Sequence, residues 1–158
     1  MTTKKPEESL YYNLFMRGTC PNLDTVNIYT DRRTIEVNEV ISFDIEFEQI
    51  TAISYLLSSL LSSTIITAIK ELKQNDIFLD EIEGTVQAQL TNPLRMIPVR
   101  GYSDPSLIKD IRIKLFYYAD TDDCEKVSVL MRNAQLFNPV YQLIDKGQEI
   151  NLNIEFVL

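Results

Sequence analysis

An α+β fold follows from three features of the sequence. The first third alternates apolar and polar residues in short runs broken by turn formers. A long uncharged apolar run follows, from Gln49 to Ile69, with helical length and no strand punctuation. The last half places two alternating strands before two helix starts, then ends on a third alternating strand.

Taken in order, Met1 to Glu8 reads as a polar tail and the first nine residues as lying outside the folded domain. Leu10 to Arg17 is aromatic-rich and strand-like, with a turn at Gly18-Thr19-Cys20-Pro21-Asn22. Thr25 to Tyr29 alternates, and Asp31-Arg32-Arg33 turns the chain into Thr34-Ile35-Glu36-Val37. Phe43, Ile45 and Phe47 alternate with Asp44, Glu46 and Glu48, which predicts a half-buried strand and completes an N-terminal β-meander. The long helix runs from about Ala52 to Asn75. Its uncharged first half predicts cover on every side, and Lys70, Glu71 and Lys73 bring its last turns to the surface.

Asp80 to Leu90 is the next strand, with Ile82, Val86, Ala88 and Leu90 on one face. Asn92 to Pro105 is a proline-bearing loop. Ile111, Ile113, Leu115 and Tyr117 mark the inner face of a further strand. Asp122 and Glu125 have capping-box spacing and open a helix to about Leu136. Asn138-Pro139 is a second start, with Asn as cap and Pro at the first helical position, and Gly147 stands where the residue past the helix end belongs. The final strand turns Ile150, Leu152, Ile154 and Phe156 inward.

Composition narrows function by exclusion. A length of 158 residues suits one domain with a real core, spanning 1-158. The formal net charge of -8 repels a phosphate backbone, so nucleic acid is not an expected partner. The chain has no histidine. Serine-histidine and cysteine-histidine catalysis are thereby excluded, along with the commonest metal ligand. The 4 glycines are isolated, so no glycine-rich phosphate loop can form. No cofactor is expected. The 2 cysteines, Cys20 and Cys124, make no disulfide framework, and the N-terminus lacks the apolar stretch of a secretory leader. The cytoplasm is the expected location. The uncharged run is long enough to span a bilayer, but serine and threonine recur throughout it, and a helix buried in protein is the expectation.

Two segments carry a family resemblance. Tyr55-Leu56-Leu57-Ser58-Ser59-Leu60-Leu61-Ser62-Ser63 heads the long helix, and Asn138-Pro139-Val140-Tyr141 opens the last one. Together they resemble the OsmC/Ohr thiol peroxidases, whose pattern is a Leu-Leu-x-x-Leu-x-x-Cys helix and, later, Cys-Pro-Val or Ser-Pro-Val before an aromatic. Asp80-Glu81-Ile82-Glu83-Gly84 and Tyr118-Ala119-Asp120 fit the same order, so the likeness extends from Tyr55 to Leu158. It implies an OsmC-like α+β domain with a long buried central helix, in an intertwined homodimer with pockets at the interface. Serines four apart, Ser58/Ser62 and Ser59/Ser63, would let two such helices approach closely.

On that pattern Ser63 stands at the first reactive cysteine and Asn138 at the second. The supporting Glu falls near Ile53 and Ser54 and is missing as well. A peroxidatic thiol must ionise and then be resolved by a second thiol. A serine hydroxyl with no base beside it cannot replace it. The resemblance therefore implies the fold without the chemistry. It leaves a degenerate site and a possible pocket for a small apolar ligand, formed by Arg17, Tyr55, Ser59, Ser63, Pro139 and Tyr141. Asn138 has a sufficient role as an N-cap, and Ser63 as a small packing residue. Arg17, Arg32 and Arg33 are candidates for the family arginine. Cys20, near Arg17, and Cys124, in a helix first turn, are the thiols through which an active hydroperoxide reductase would have to work. A third possibility is a structural or regulatory partner protein. The pairs Glu46/Glu48, Glu81/Glu83 and Asp122/Asp123 read as solvated faces, and no metal site is expected.

Overall fold

In the computed structural model the described residues are 13–97 and 99–158. The expected polar tail and the first residues of the Leu10–Arg17 run lie outside them. Two compact units result, one up to Ile53 and one from Ser54 to Leu158.

The first unit contains a three-stranded antiparallel meander in the order β1 (Arg17–Thr19), β2 (Val26–Tyr29), β3 (Thr34–Val37). The β2–β3 turn is closed by Thr30. Its N–H donates to the Arg33 carbonyl at 2.8 Å, and its Oγ1 accepts from Arg33 N–H at 2.9 Å. Sequence alternation placed the first strand too early. Residues 13–16 are irregular, and Gly18 pairs with Ile28 inside β1 instead of turning. The turn falls after Pro21, where the Asn22 side chain accepts from Asp24 and Thr25 N–H at 3.1 and 2.9 Å.

The expected strand at Phe43–Phe47 is absent. Ser42 Oγ accepts from Asp44 N–H at 3.2 Å and Asp44 Oδ1 from Glu46 N–H at 2.9 Å. Short polar side chains have captured the amides that a sheet would need, and Ile45 is left 99% exposed.

In the second unit, α1 (Ala52–Gln74) lies beside a sheet ordered β4 (Glu81–Leu90), β5 (Ile108–Tyr118), β6 (Ile150–Phe156). β4 and β5 are antiparallel; β6 is parallel to β5, reached through α2 (Cys124–Ala134) and α3 (Pro139–Gly147). The inner faces of β5 and β6 are those the alternation predicts: Ile111, Ile113, Leu115 and Tyr117, with Ile150 and Leu152, join the core. β4 turns Ile82, Val86 and Ala88 to the same side. Gly84 sits among them because a Cβ there would lie 2.9 Å from both Leu61 Cδ1 and Leu115 Cδ2.

Within the chain, α1 is buried along a stripe and not on every side. Leu60, Thr64, Ala68 and Leu72 are buried at four-residue spacing, while Leu56 and Ile66 are exposed. One small sheet can cover only one face of a helix. By length and composition α1 could also cross a membrane, with a mean hydropathy of 1.7. Two residues past its end, Asp76 takes the left-handed conformation (φ 55°) and Ile77 N–H donates to the Leu72 carbonyl at 2.9 Å.

The other two helices differ from expectation by single residues. Asp123, not Asp122, caps α2, its Oδ1 accepting from Lys126 N–H at 3.0 Å. Gly147 is the last residue of α3 and does not have a positive φ; Gln148 is the C-cap. The second helix stops at Ala134, and Gln135–Phe137 tightens into a 3₁₀ turn that delivers the chain to Asn138.

Candidate functional site

Ser63 and Asn138, the two residues that the resemblance sets at the cysteine positions, meet. Asn138 caps α3 with Oδ1, which accepts from Val140 N–H at 3.1 Å and Tyr141 N–H at 3.2 Å. Its Nδ2 is then directed at α1, 3.3 Å from Ser63 Oγ. Ser63 is not at a helix start, as the reading of its segment as the helix head suggested. It lies in the middle of α1, where backbone N–H groups are committed within the helix and offer no concentrated positive end. Its own hydroxyl donates to the Leu60 carbonyl at 3.0 Å.

A third side chain completes the arrangement. Gln135 is 2% exposed; Oε1 accepts from Asn138 Nδ2 at 3.0 Å, and Nε2 donates to the carbonyls of Thr64 (3.1 Å) and Met131 (3.2 Å). Thr64 Oγ1 donates to the Leu60 carbonyl at 2.8 Å. The Ser63–Asn138–Gln135–Thr64 group thus joins α1 to the α2–α3 junction through neutral hydrogen bonds, with the amide donors and acceptors engaged. It contains no group that titrates near neutrality and no thiolate, so it can position helices but cannot attack a peroxide.

Gln135 and Thr64 escaped sequence reasoning. Gln135 is followed by Leu136 and Phe137, and hydropathy would bury those two and expose the glutamine. The structure does the reverse: Leu136 is 66% and Phe137 82% exposed. The only usable signal was position, three residues before the cap Asn138, a spacing that lets two side chains meet across a helical turn.

The other predicted residues are distributed as follows. Tyr55 and Ser59 precede Ser63 by successive turns of α1; Tyr55 is half-buried and Ser59 exposed. Pro139 is exposed at the first position of α3. Tyr141 is buried, and burial first, then Asp145, pushes its phenol above the ordinary tyrosine range, while Arg132 opposes the shift. Arg17 belongs to the first unit, where its guanidinium lies 5.6 Å from the centre of the Tyr29 ring. Arg32 and Arg33 are exposed in the β2–β3 turn.

Cys20 and Cys124 are free and half-buried. Cys124 opens α2, and its carbonyl accepts from Tyr117 Oη at 2.9 Å. Tyr117 is pushed up chiefly by burial and further by Cys124, with the Ser128 hydrogen bond acting the other way. Among the described residues no group of three or more acidic or sulfur ligands could hold a metal.

No protein-family model matches the sequence, and no curated protein matches it. Solved structures do. An OsmC-like protein from Mycoplasma pneumoniae superposes with a TM-score of 0.73 at 13% identity, over 93% of this chain and 99% of that one. An organic hydroperoxide resistance protein from Elizabethkingia anophelis gives 0.69 at 12% identity, over 99% and 100%. The organic hydroperoxide resistance protein OhrB of Bacillus subtilis gives 0.61 at 14%, over 90% and 98%. The chain therefore has an OsmC/Ohr-like α+β fold, carried by a sequence only 12 to 14% identical to these solved proteins.

Proposed function

We propose that this chain is a divergent, non-peroxidatic member of the OsmC/Ohr family. In this reading all 158 residues work as one domain, and two chains form an intertwined homodimer with a small apolar ligand bound at the interface. The observation that carries the reading is the Ser63–Asn138 contact. The two positions at which the resemblance expects a reactive and a resolving thiol lie within 3.3 Å, and both are neutral hydrogen-bonding groups. The ligand would be lined by Tyr55, Ser59, Ser63, Pro139 and Tyr141. Nucleic acid, membrane, metal and cofactor have no part in it, and the cytoplasm is the setting. On this reading α1 is a core helix of a soluble dimer.

Exposed apolar side chains support the dimer. Leu14, Phe15 and Ile45 in the first unit, and Leu136, Phe137 and Leu143 in the second, are each more than 60% exposed, apolar surface that a second chain would cover. Sedimentation equilibrium is expected to give twice the 18.3 kDa chain mass, with no folded monomer on dilution. A stable folded monomer would refute the assembly.

Chemistry is tested by loss of organic hydroperoxide in the presence of a dithiol reductant. The parent, Cys20→Ser and Cys124→Ser are expected to show no turnover above buffer. Ser63→Cys with Asn138→Cys is expected to form a disulfide on oxidation, because the side chains it replaces are already in contact. Its peroxide turnover should stay low, since Ser63 lies far from a helix N-terminus. Robust turnover by the parent that vanishes in Cys20→Ser would establish the relocated-thiol reductase instead.

A further inference from the structure

The β4–β5–β6 sheet gives one face to the core and turns the other to water. On β5, the central strand, the outer face carries Lys109, Arg112, Lys114, Phe116 and Tyr118; Phe116 is half-buried and the other four are exposed. A bulge brings Lys109 onto this face. Gln87 pairs with Arg112 and Gln89 with Lys109, so Asp110 and Ile111 together oppose Ala88, and Asp110 takes φ 50°.

Charge is segregated along this face. Arg112 lies between Gln87 on β4 and Asn151 on β6, and Lys114 between Thr85 and Asn153. A cation on an open sheet gains from an acid directly across. The chain has 23 acidic residues against 15 basic ones, yet none stands across from Arg112 or Lys114. Among the described residues neither cation is in an ion pair. The acids gather further along, beside the aromatic residues: Glu83 and Glu155 flank Phe116, and Glu81 lies across from Tyr118. Glu155 is engaged, its Oε1 accepting from Asn153 Nδ2 at 2.6 Å. Alternate residues on a strand share a face at roughly 6–7 Å spacing. Arg112 and Lys114 can therefore close on one anion, with the Gln87, Thr85 and Asn151 donors beside it and Phe116 at the next step.

We propose that the outer face of this sheet binds a phosphate monoester carrying a flat ring, of the nucleoside 5′-phosphate type. Arg112 and Lys114 hold the phosphate, the guanidinium supplying a planar pair of donors. The ring lies against Phe116 and Tyr118, and Glu83 accepts from its amino or sugar hydroxyl groups. The carboxylates of Glu81, Glu83 and Glu155 repel a second phosphate at the ring end, so the face takes a mononucleotide in preference to a strand of nucleic acid.

The test is isothermal titration calorimetry on the full chain with adenosine 5′-monophosphate, adenosine, inorganic phosphate and a short oligodeoxyadenylate. The monophosphate is expected to bind more tightly than adenosine or phosphate by about tenfold or more, since it alone engages both ends of the face. Arg112→Gln and Lys114→Gln should each weaken it by about tenfold, on the scale of one charge-assisted contact. Phe116→Leu, which keeps an apolar side chain but removes the ring, should weaken it by about fivefold or more. Arg112 and Lys114 are exposed, so their variants should melt with the parent. The proposal fails if the monophosphate gives no binding heat, if it binds no better than adenosine or phosphate, if either cation variant binds it as the parent does, or if the oligodeoxyadenylate binds more tightly. None of these outcomes depends on Ser63 or Asn138, so the peroxide assay and this one succeed or fail separately.

Discussion

Replacing Asn138 with Ala is expected to destabilise the protein by about 2–4 kcal/mol, a fall in Tm on the order of 5–15 °C for a chain of this size. Two losses add. The cap on Val140 and Tyr141 N–H goes, which costs about 1 kcal/mol. Gln135 Oε1 also loses its Asn138 donor inside a buried group; an unsatisfied buried acceptor costs about 1–3 kcal/mol. Asn138→Asp separates the two, because it keeps an N-cap acceptor but removes the amide donor. Ser63→Ala should cost under about 1 kcal/mol, since Asn138 Nδ2 retains Gln135. Urea midpoints at constant m-value measure all three. An Asn138→Ala variant that melts within a degree of the parent would show that the polar group does not hold α3 to α1.

Gly84→Val is expected to cost about 3 kcal/mol or more. Even the first added carbon would sit 2.9 Å from Leu61 and Leu115 and 3.0 Å from Ile65, and Leu115 is fully buried. Gly84→Ala should cost about 1–3 kcal/mol by the same overpacking. The contrast is Gly147→Ala. No atom lies within 4 Å of a Cβ at that position, and the residue closes a helix without positive φ. That change should be neutral or stabilising by up to about 1 kcal/mol. Thermal melts of the three variants check the sign as well as the size. If Gly84→Val melted at or above the parent temperature, the close approach of α1 to β4 would be wrong.

Most of the architecture was legible in the sequence. Period-two alternation gave β2, β3, β4, β5 and β6, the uncharged run gave α1, and Asn138-Pro139 gave the start of α3. These signals work because each arises within a few residues, from which side faces a core or from which side chain can cap an amide. Alternation failed at Phe43–Phe47, where Ser42 and Asp44 bond their own backbone. A pattern of apolar residues says which side chains would face inward if a strand formed. It does not register that local side chains have taken the amides the strand would use.

Features set by contacts between distant segments have a different character. Nothing local indicates that Gln135 is buried while Leu136 and Phe137 are exposed. That follows from a 3₁₀ turn rotating the chain between two helices and from a partner on α1 more than seventy residues away. The bulge that leaves Asp110 at positive φ is equally invisible, because a one-residue mismatch between strands exists only once both are paired. The sequence by itself determined that Ser63 and Asn138 are not thiols and that no histidine can stand in for one. The tertiary structure determined that these two positions touch, that Ser63 sits in mid-helix and not at a helix start, and that their hydrogen bonds close on Gln135. Residue identity fixes which chemistry is available at a position. Which identities meet, and in what field, depends on contacts between segments distant in the chain.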